Sequence, residues 1–315
     1  MMKHLINYAY HHASAYKTKK SIFNIIIGKK SHQTFFDAVS LNLLSLYGCA
    51  PKLKMQTFEE IIKEEPVTTD LKITNQVTFP CLQASFNAIQ LLIQTYSYTR
   101  HNQMTFQPIS SQTEVHRVVK QIYQSDQTEN ILSQLEQELR TLYQKLEAQR
   151  EKICSHYLLT GFDEPMYTFT QISMIESIES DDLFKMFYEE LVQIYIMINE
   201  SSDFPILSQC ALRLDVSQPV HRTAQLLNQG YNLQKIAQIE GVRENTIEDH
   251  ILDLFMKNQM HNYQDFLHHF NQEFINQYNA EPYERLKRYK ERFDNMSYFE
   301  IKLAIVGIAK GELDA

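Results

Sequence analysis

Two short stretches carry residue types able to hold a phosphate. The first is IIIGKKSHQTFFDA, residues 25–38. Lys29 and Lys30 precede Ser31, a residue type favoured as a helix N-cap, and a helix is expected to begin near His32. A helix start offers backbone N–H groups that lack intrahelical partners. Two lysines, a hydroxyl and those donors together make an anion grip. Lys17, Lys19 and Lys20 lie one short helix upstream and extend the cluster. The second stretch is NLQKIAQIEGVRENTIEDHI, residues 232–251, spaced as helix, glycine turn, helix. Arg243, Asn245 and Thr246 stand at the start of its second helix, where a DNA-reading helix makes its first contacts. That helix then carries Glu244, Glu248, Asp249 and Asp253, with no Lys or Arg of its own. Acids on an exposed helix repel phosphate and suit a basic protein surface, so these four are the candidate partner-binding residues.

Enzymatic patterns are absent. The chain has no GxxxxGK[ST], GxGxxG or GxSxG. His11-His12 and His268-His269 are adjacent pairs, which point to different helix faces. Cys154 and His156 lack further ligands at zinc spacing, and the pairs Glu64-Glu65 and Glu189-Glu190 are expected on solvated helix surface. The expectation is a non-enzymatic protein with no metal and no cofactor.

The elements that would carry these residues are all helical. Only 7 Gly and 8 Pro occur in 315 residues, too few for a turn-rich β-protein, while 43% apolar residues suffice for packed cores. An all-α fold is expected. Cys49, Cys81, Cys154 and Cys210 form no C-x-x-C pair and are expected as buried free thiols in a reducing compartment. No apolar run approaches the length of a membrane span, and the N-terminal residues do not resemble a signal peptide, so a cytoplasmic location is expected. The net charge of −8 is uneven. Residues 1–54 hold eight lysines and one acid, Asp37, a net +7, so the remainder carries −15. Such a basic lobe can face nucleic acid, an acidic partner, or the chain's own acidic part.

Three regions are expected. Residues 1–66 form a basic helical domain, itself helix-turn-helix-like. LINYAY begins its first helix, SIFNIII closed by Gly28 is its second and HQTFFDAVSLNLLSLYG its third, with TFEEIIKEE ending at Pro66. Residues 67–204 form a helical middle region with a long helix over about 127–156. Along it Leu132, Leu135, Leu139, Leu142 and Leu146 make a narrow apolar seam, expected to close an intramolecular hairpin. Residues 205–315 hold the second helix-turn-helix and tail helices. Here Ile236 and Ala237 lie on the first helix, Gly241 takes the turn, and Val242, Ile247 and Ile251 face the core. Val220, Ala224 and Leu227 supply a further helix closing at Gly230. Arg285, Lys287, Arg288, Lys290 and Arg292, interleaved with Glu284 and Glu291, are expected as a salt-bridged surface helix.

VHRTAQLLNQGYNLQKIAQIEGVRENTIEDHILDLF, residues 220–255, resembles the helix-turn-helix domain at the C-terminus of many bacterial RecQ-type helicases. The shared features are Ile236-Ala237, Gly241-Val242 and Thr246-Ile247-Glu248-Asp249-His250. The ending MSYFEIKLAI is similar to the segment next to that domain in the family. Together with SIFNIIIGKKSHQTFFDA, residues 21–38, the chain resembles the YpbB family, stand-alone proteins of low-GC Gram-positive bacteria linked to a RecQ-like helicase. The resemblance implies an accessory role beside a helicase that lacks this domain, in DNA repair or recombination, and carries over no catalytic residue. The expected partners are a RecQ-like DNA helicase and non-specific forked or single-stranded DNA. The DNA contacts expected are Lys17, Lys19, Lys20, Lys29, Lys30, Ser31 and His32, with Arg243, Asn245 and Thr246. The alternatives are a protein adaptor without DNA affinity and a sequence-specific transcription regulator. The sequence sets no oligomeric state.

Overall fold

The computed structural model describes residues 2–64, 70–103, 105–125 and 131–313. Among them every regular element is helical, as expected. In chain order the α-helices are α1 (Lys3–Ala13), α2 (Lys19–Ile26), α3 (His32–Ser40), α4 (Met55–Ile61), α5 (Phe79–Arg100), α6 (Thr113–Ser125), α7 (Ile131–Glu147) and α8 (Phe169–Glu176). They continue with α9 (Ser180–Glu200), α10 (Gln218–Asn228), α11 (Leu233–Glu240), α12 (Glu244–Met256), α13 (Gln272–Ala280), α14 (Leu286–Arg292) and α15 (Tyr298–Ala309). Many starts are written locally. The side chains of Thr18, Ser31, Thr168, Asn232, Asn271 and Ser297 each accept from a first-turn N–H, the role for which these residue types are favoured.

The described residues fall into two compact units. One gathers those within 1–8, 61–73 and 79–212, the other those within 9–60, 74–78 and 213–315. This differs from the expected division near 66 and 205, because the stretch 9–60 folds with the C-terminal region. Pro66, the expected stop, lies outside the described residues.

In the first unit the two long helices α5 and α9 pack on each other through aromatic rings. Phe79 meets Phe184 and Tyr188, and Phe86 meets Phe187 at 5.5 Å. The leucine seam closes inside this unit. Leu135, Leu142 and Leu146 are buried and α7 lies on α9. The expected helix over 127–156 is shorter. Its first residues, 127–130, are outside the described ones, and α7 ends at Glu147, well before a 3-10 turn at Ser155–Leu158. The cause is on α9. Glu190, fully buried, accepts from the N–H groups of Cys154 and Ser155 at 2.8 Å each. Those donors would serve the helix itself had it continued. Arg150 likewise leaves the helix to pair with Glu189.

In the second unit α2 and α3 form a hairpin that packs, through α3, against α12 and α15. The turn between them needs glycine. Gly28 has a φ of +67°, and a Cβ there would sit 2.8 Å from the Cα of Gly48. The expected third helix ends early, at Ser40. Leu41 caps it, Asn42 adopts a φ of +56°, and the chain then makes a 3-10 turn at Leu44–Leu46. Phe35, Val39, Leu43 and Leu46, which recur at helical spacing as an apolar stripe, are nonetheless all buried.

Candidate nucleic-acid and partner interface

The α10–α12 trihelix is built from short-range signals. Pro219 sits in the first turn of α10, where its missing N–H is harmless. Val220 buries against Val216 and Leu254, with Ala224 and Leu227 against the same cluster. Asn232 caps α11, and Gly241, at φ +68°, ends it. Ile236, Ala237, Ile247 and Ile251 are buried as expected, whereas Val242 is 39% exposed, since the turn carries it outward. The three helices share a polar link. The buried Thr223 hydroxyl lies 2.7 Å from Nδ1 of His250 and 3.3 Å from both carboxylate oxygens of Glu240. Nothing in local spacing announces this contact, because its members sit on three different helices.

Residues 219–305 match a protein-family profile described as a helix-turn-helix domain. The chain carries a helix-turn-helix domain. Protein YpbB of Bacillus subtilis (strain 168) is 24% identical over 232 residues, 69% of this chain and 63% of that relative. This match bears out the resemblance to YpbB proteins. The chain thus spans under two thirds of the length of that relative. No solved structure matches.

The helix-turn-helix domain here does not present its second helix along an open face. α12 is packed by α10 and α11 on one side and by α3 and α15 on the other. Asp249 marks the second side, 3.6 Å from Nδ1 of His32 on α3 and 3.8 Å from Nζ of Lys302 on α15. Leu252 and Met256 stand three and seven residues further on, hence on the same helix face, and are 1% and 0% exposed. Only the first turn of α12, with Glu244 and Asn245 behind the exposed Arg243, is fully open to solvent; Thr246 is half-buried.

The acids of α12 are therefore engaged from within. Asp253 pairs with Lys257 at 2.8 Å, and the Lys257 ammonium lies over the Phe35 ring of α3. The exposed Glu244 is an exception, and so is Glu248. Burial pushes the Glu248 carboxyl above the usual carboxylate range, and the neighbouring charges of Glu244 and Asp249 push it the same way while Lys302 pulls it back.

The structure also places the basic candidates. Lys17 is held by Asp37 at 2.6 Å, while Lys19, Lys20, Lys29 and Lys30 are exposed. Ser31 caps α3, accepting from the N–H of Thr34 at 3.2 Å. His32 points to Asp249. The two sequence stretches lie far apart in the chain, yet their helices α3 and α12 touch, so the candidate residues from both share one compact unit.

In the tail, Arg288 pairs with Glu284, Arg292 with Glu281 and Lys287 with Glu291, the salt-bridged surface that the spacing predicts. All four cysteines are free and buried, and burial pushes the Cys49, Cys81 and Cys210 thiols up to about 12. Such thiols carry almost no thiolate at neutral pH and are poor nucleophiles. Among the described residues no helix is long and apolar enough to cross a membrane, and no group of three or more His, Cys, Asp or Glu could hold a metal ion.

Proposed function

We propose that this chain is a non-enzymatic accessory protein of a RecQ-like DNA helicase in DNA repair or recombination, contacting DNA non-specifically through the α2–α3 lobe. The observation that carries the proposal is the exposure of Lys19, Lys20, Lys29 and Lys30 on a hairpin packed against the helix-turn-helix domain. Lys19 and Lys20 follow the Thr18 cap of α2 and Lys29 and Lys30 precede the Ser31 cap of α3, so two hydroxyl-capped helix starts each carry a pair of unburied ammonium groups suited to a phosphate backbone. Base readout by α12 is disfavoured, because a helix that reads sequence lies in the major groove and α12 is covered beyond its first turn. The expected result is binding of forked DNA that weakens steeply as salt rises. Lys29→Glu with Lys30→Glu should lower that affinity by about tenfold or more at moderate salt, since two phosphate contacts become repulsions. Wild-type affinity for the double variant would refute the DNA contact.

A docking role for the start of α12 is favoured by the Glu248 carboxyl, which burial raises first and the crowding of Glu244 and Asp249 raises further, against the opposing charge of Lys302. A basic side chain from the helicase would relieve that repulsion. Glu248→Lys is expected to weaken co-purification with the RecQ-like helicase at least severalfold while leaving DNA affinity unchanged or higher. Unchanged recovery of the helicase would exclude this face.

A further inference from the structure

The second unit carries an aromatic pair, one ring exposed and the other half-buried, that the proposed lysine contact does not use. Tyr16, in the turn before α2, meets Tyr283, in the turn before α14, with ring centroids 5.1 Å apart at 65°. Tyr16 is 44% exposed. Tyr283 is supported from inside by His12 at 5.9 Å and Tyr278 at 6.4 Å. Tyr278 is itself fixed, buried with its hydroxyl donating to the Ser40 carbonyl at 3.3 Å. Tyr283 has a φ of +65°, and the other non-glycine residues with positive φ among the described ones are three asparagines and one serine. A bulky residue in that region is strained, and such strain persists only where surrounding packing imposes it.

The charge around the pair is one-sided. Lys19 and Lys20 come three and four residues after Tyr16, Arg285 comes two after Tyr283, and all three are exposed. Acids close to them in the sequence are already paired within the chain: Asp37 with Lys17, Glu281 with Arg292 and Glu284 with Arg288. Exposed rings flanked by cations are how proteins hold single strands, since an unpaired base offers a face for stacking and a paired base does not. The geometry points to a single-stranded DNA site in which a base stacks on the exposed Tyr16 ring, held edge-on by Tyr283, while the phosphates meet Lys19, Lys20 and Arg285. This rests on the proposed DNA contact of the α2–α3 lobe and specifies which form of DNA it takes.

The test uses the full chain and fluorescence anisotropy of labelled oligothymidylate, about 20 nucleotides long to cover one site, beside a duplex of equal length. Tyr16→Ala, at an exposed position, is expected to weaken oligothymidylate binding by about 5-fold to 100-fold, the range for loss of one stacked base. Duplex binding should change less than about twofold, because its bases offer no free face. Tyr16→Phe should retain the affinity. Tyr283→Asn, which tolerates positive φ, should repeat the loss without unfolding. If both ring deletions bind oligothymidylate like wild type while Lys29→Glu with Lys30→Glu does not, the stacking site is wrong and the DNA function stands. Equal losses on single strand and duplex would also overturn stacking. If the wild-type chain binds neither probe at about 50 mM salt, the DNA function fails and this site fails with it.

Discussion

Leu252→Ala is expected to destabilise the second unit by about 2–5 kcal/mol, the cost of a cavity where a buried leucine stood. The figure is large for a position on the second helix of a helix-turn-helix. Where that helix lies open for DNA, its outward residues are surface positions, and truncation there changes stability by only about 0.5 kcal/mol. Leu252 shares its face with Asp249, which touches α3 and α15, and is 1% exposed. Urea unfolding tracked by helical circular dichroism measures the difference. A midpoint unchanged from wild type would mean that α3 and α15 do not cover α12 in solution. The function would then have to be reconsidered in favour of groove reading by Arg243, Asn245 and Thr246.

Glu190→Ala should be comparably damaging to the first unit, by about 2–5 kcal/mol, because it orphans two buried N–H groups at once. Those donors, on Cys154 and Ser155, begin the 3-10 turn at Ser155–Leu158, and the carboxylate also suits the positive end of that turn. Glu190→Gln keeps one acceptor and should cost less. A second readout is the thiol of Cys154, fully buried in the native chain. Its labelling by a thiol reagent should accelerate in Glu190→Ala more than in Glu190→Gln. Equal stability of all three chains would mean that Glu190 does not hold the turn beyond α7.

These two positions separate what residue order can convey from what it cannot. Signals that act within one or two turns of helix are readable: the Ser31 cap, the Gly28 and Gly241 turns, the stripe from Phe35 to Leu46 and the leucine seam of α7. Each depends on neighbours three to seven residues away. Residue order puts Glu190 on a solvated surface beside Glu189, because an acidic pair on a helix is usually solvated. Its burial depends on N–H groups donated from another part of the chain, as does that of Glu138, which accepts from Ile206 and Leu207. The acids of α12 repeat the lesson. Their charge argues against DNA and for a foreign basic partner, yet His32, Lys257 and Lys302 already stand beside two of them. The contrast between a basic start and an acidic remainder is visible in the sequence, but not that two such segments meet on α3 and α12. Tyr16 and Tyr283 give no sequence signal for the same reason, each being an ordinary turn residue until the other is placed beside it.

The joining of residues 9–60 with 213–315 in one unit also sets a timetable for synthesis. A ribosome adding about 5–20 residues per second takes roughly 8–30 seconds to traverse the stretch between them. For most of that interval Phe35, Phe36 and Val39 are outside the ribosome, while α12 and α15, against which α3 will pack, do not yet exist. The α2–α3 hairpin therefore waits on the nascent chain with its apolar side uncovered, a substrate for chaperones before it is part of a folded unit.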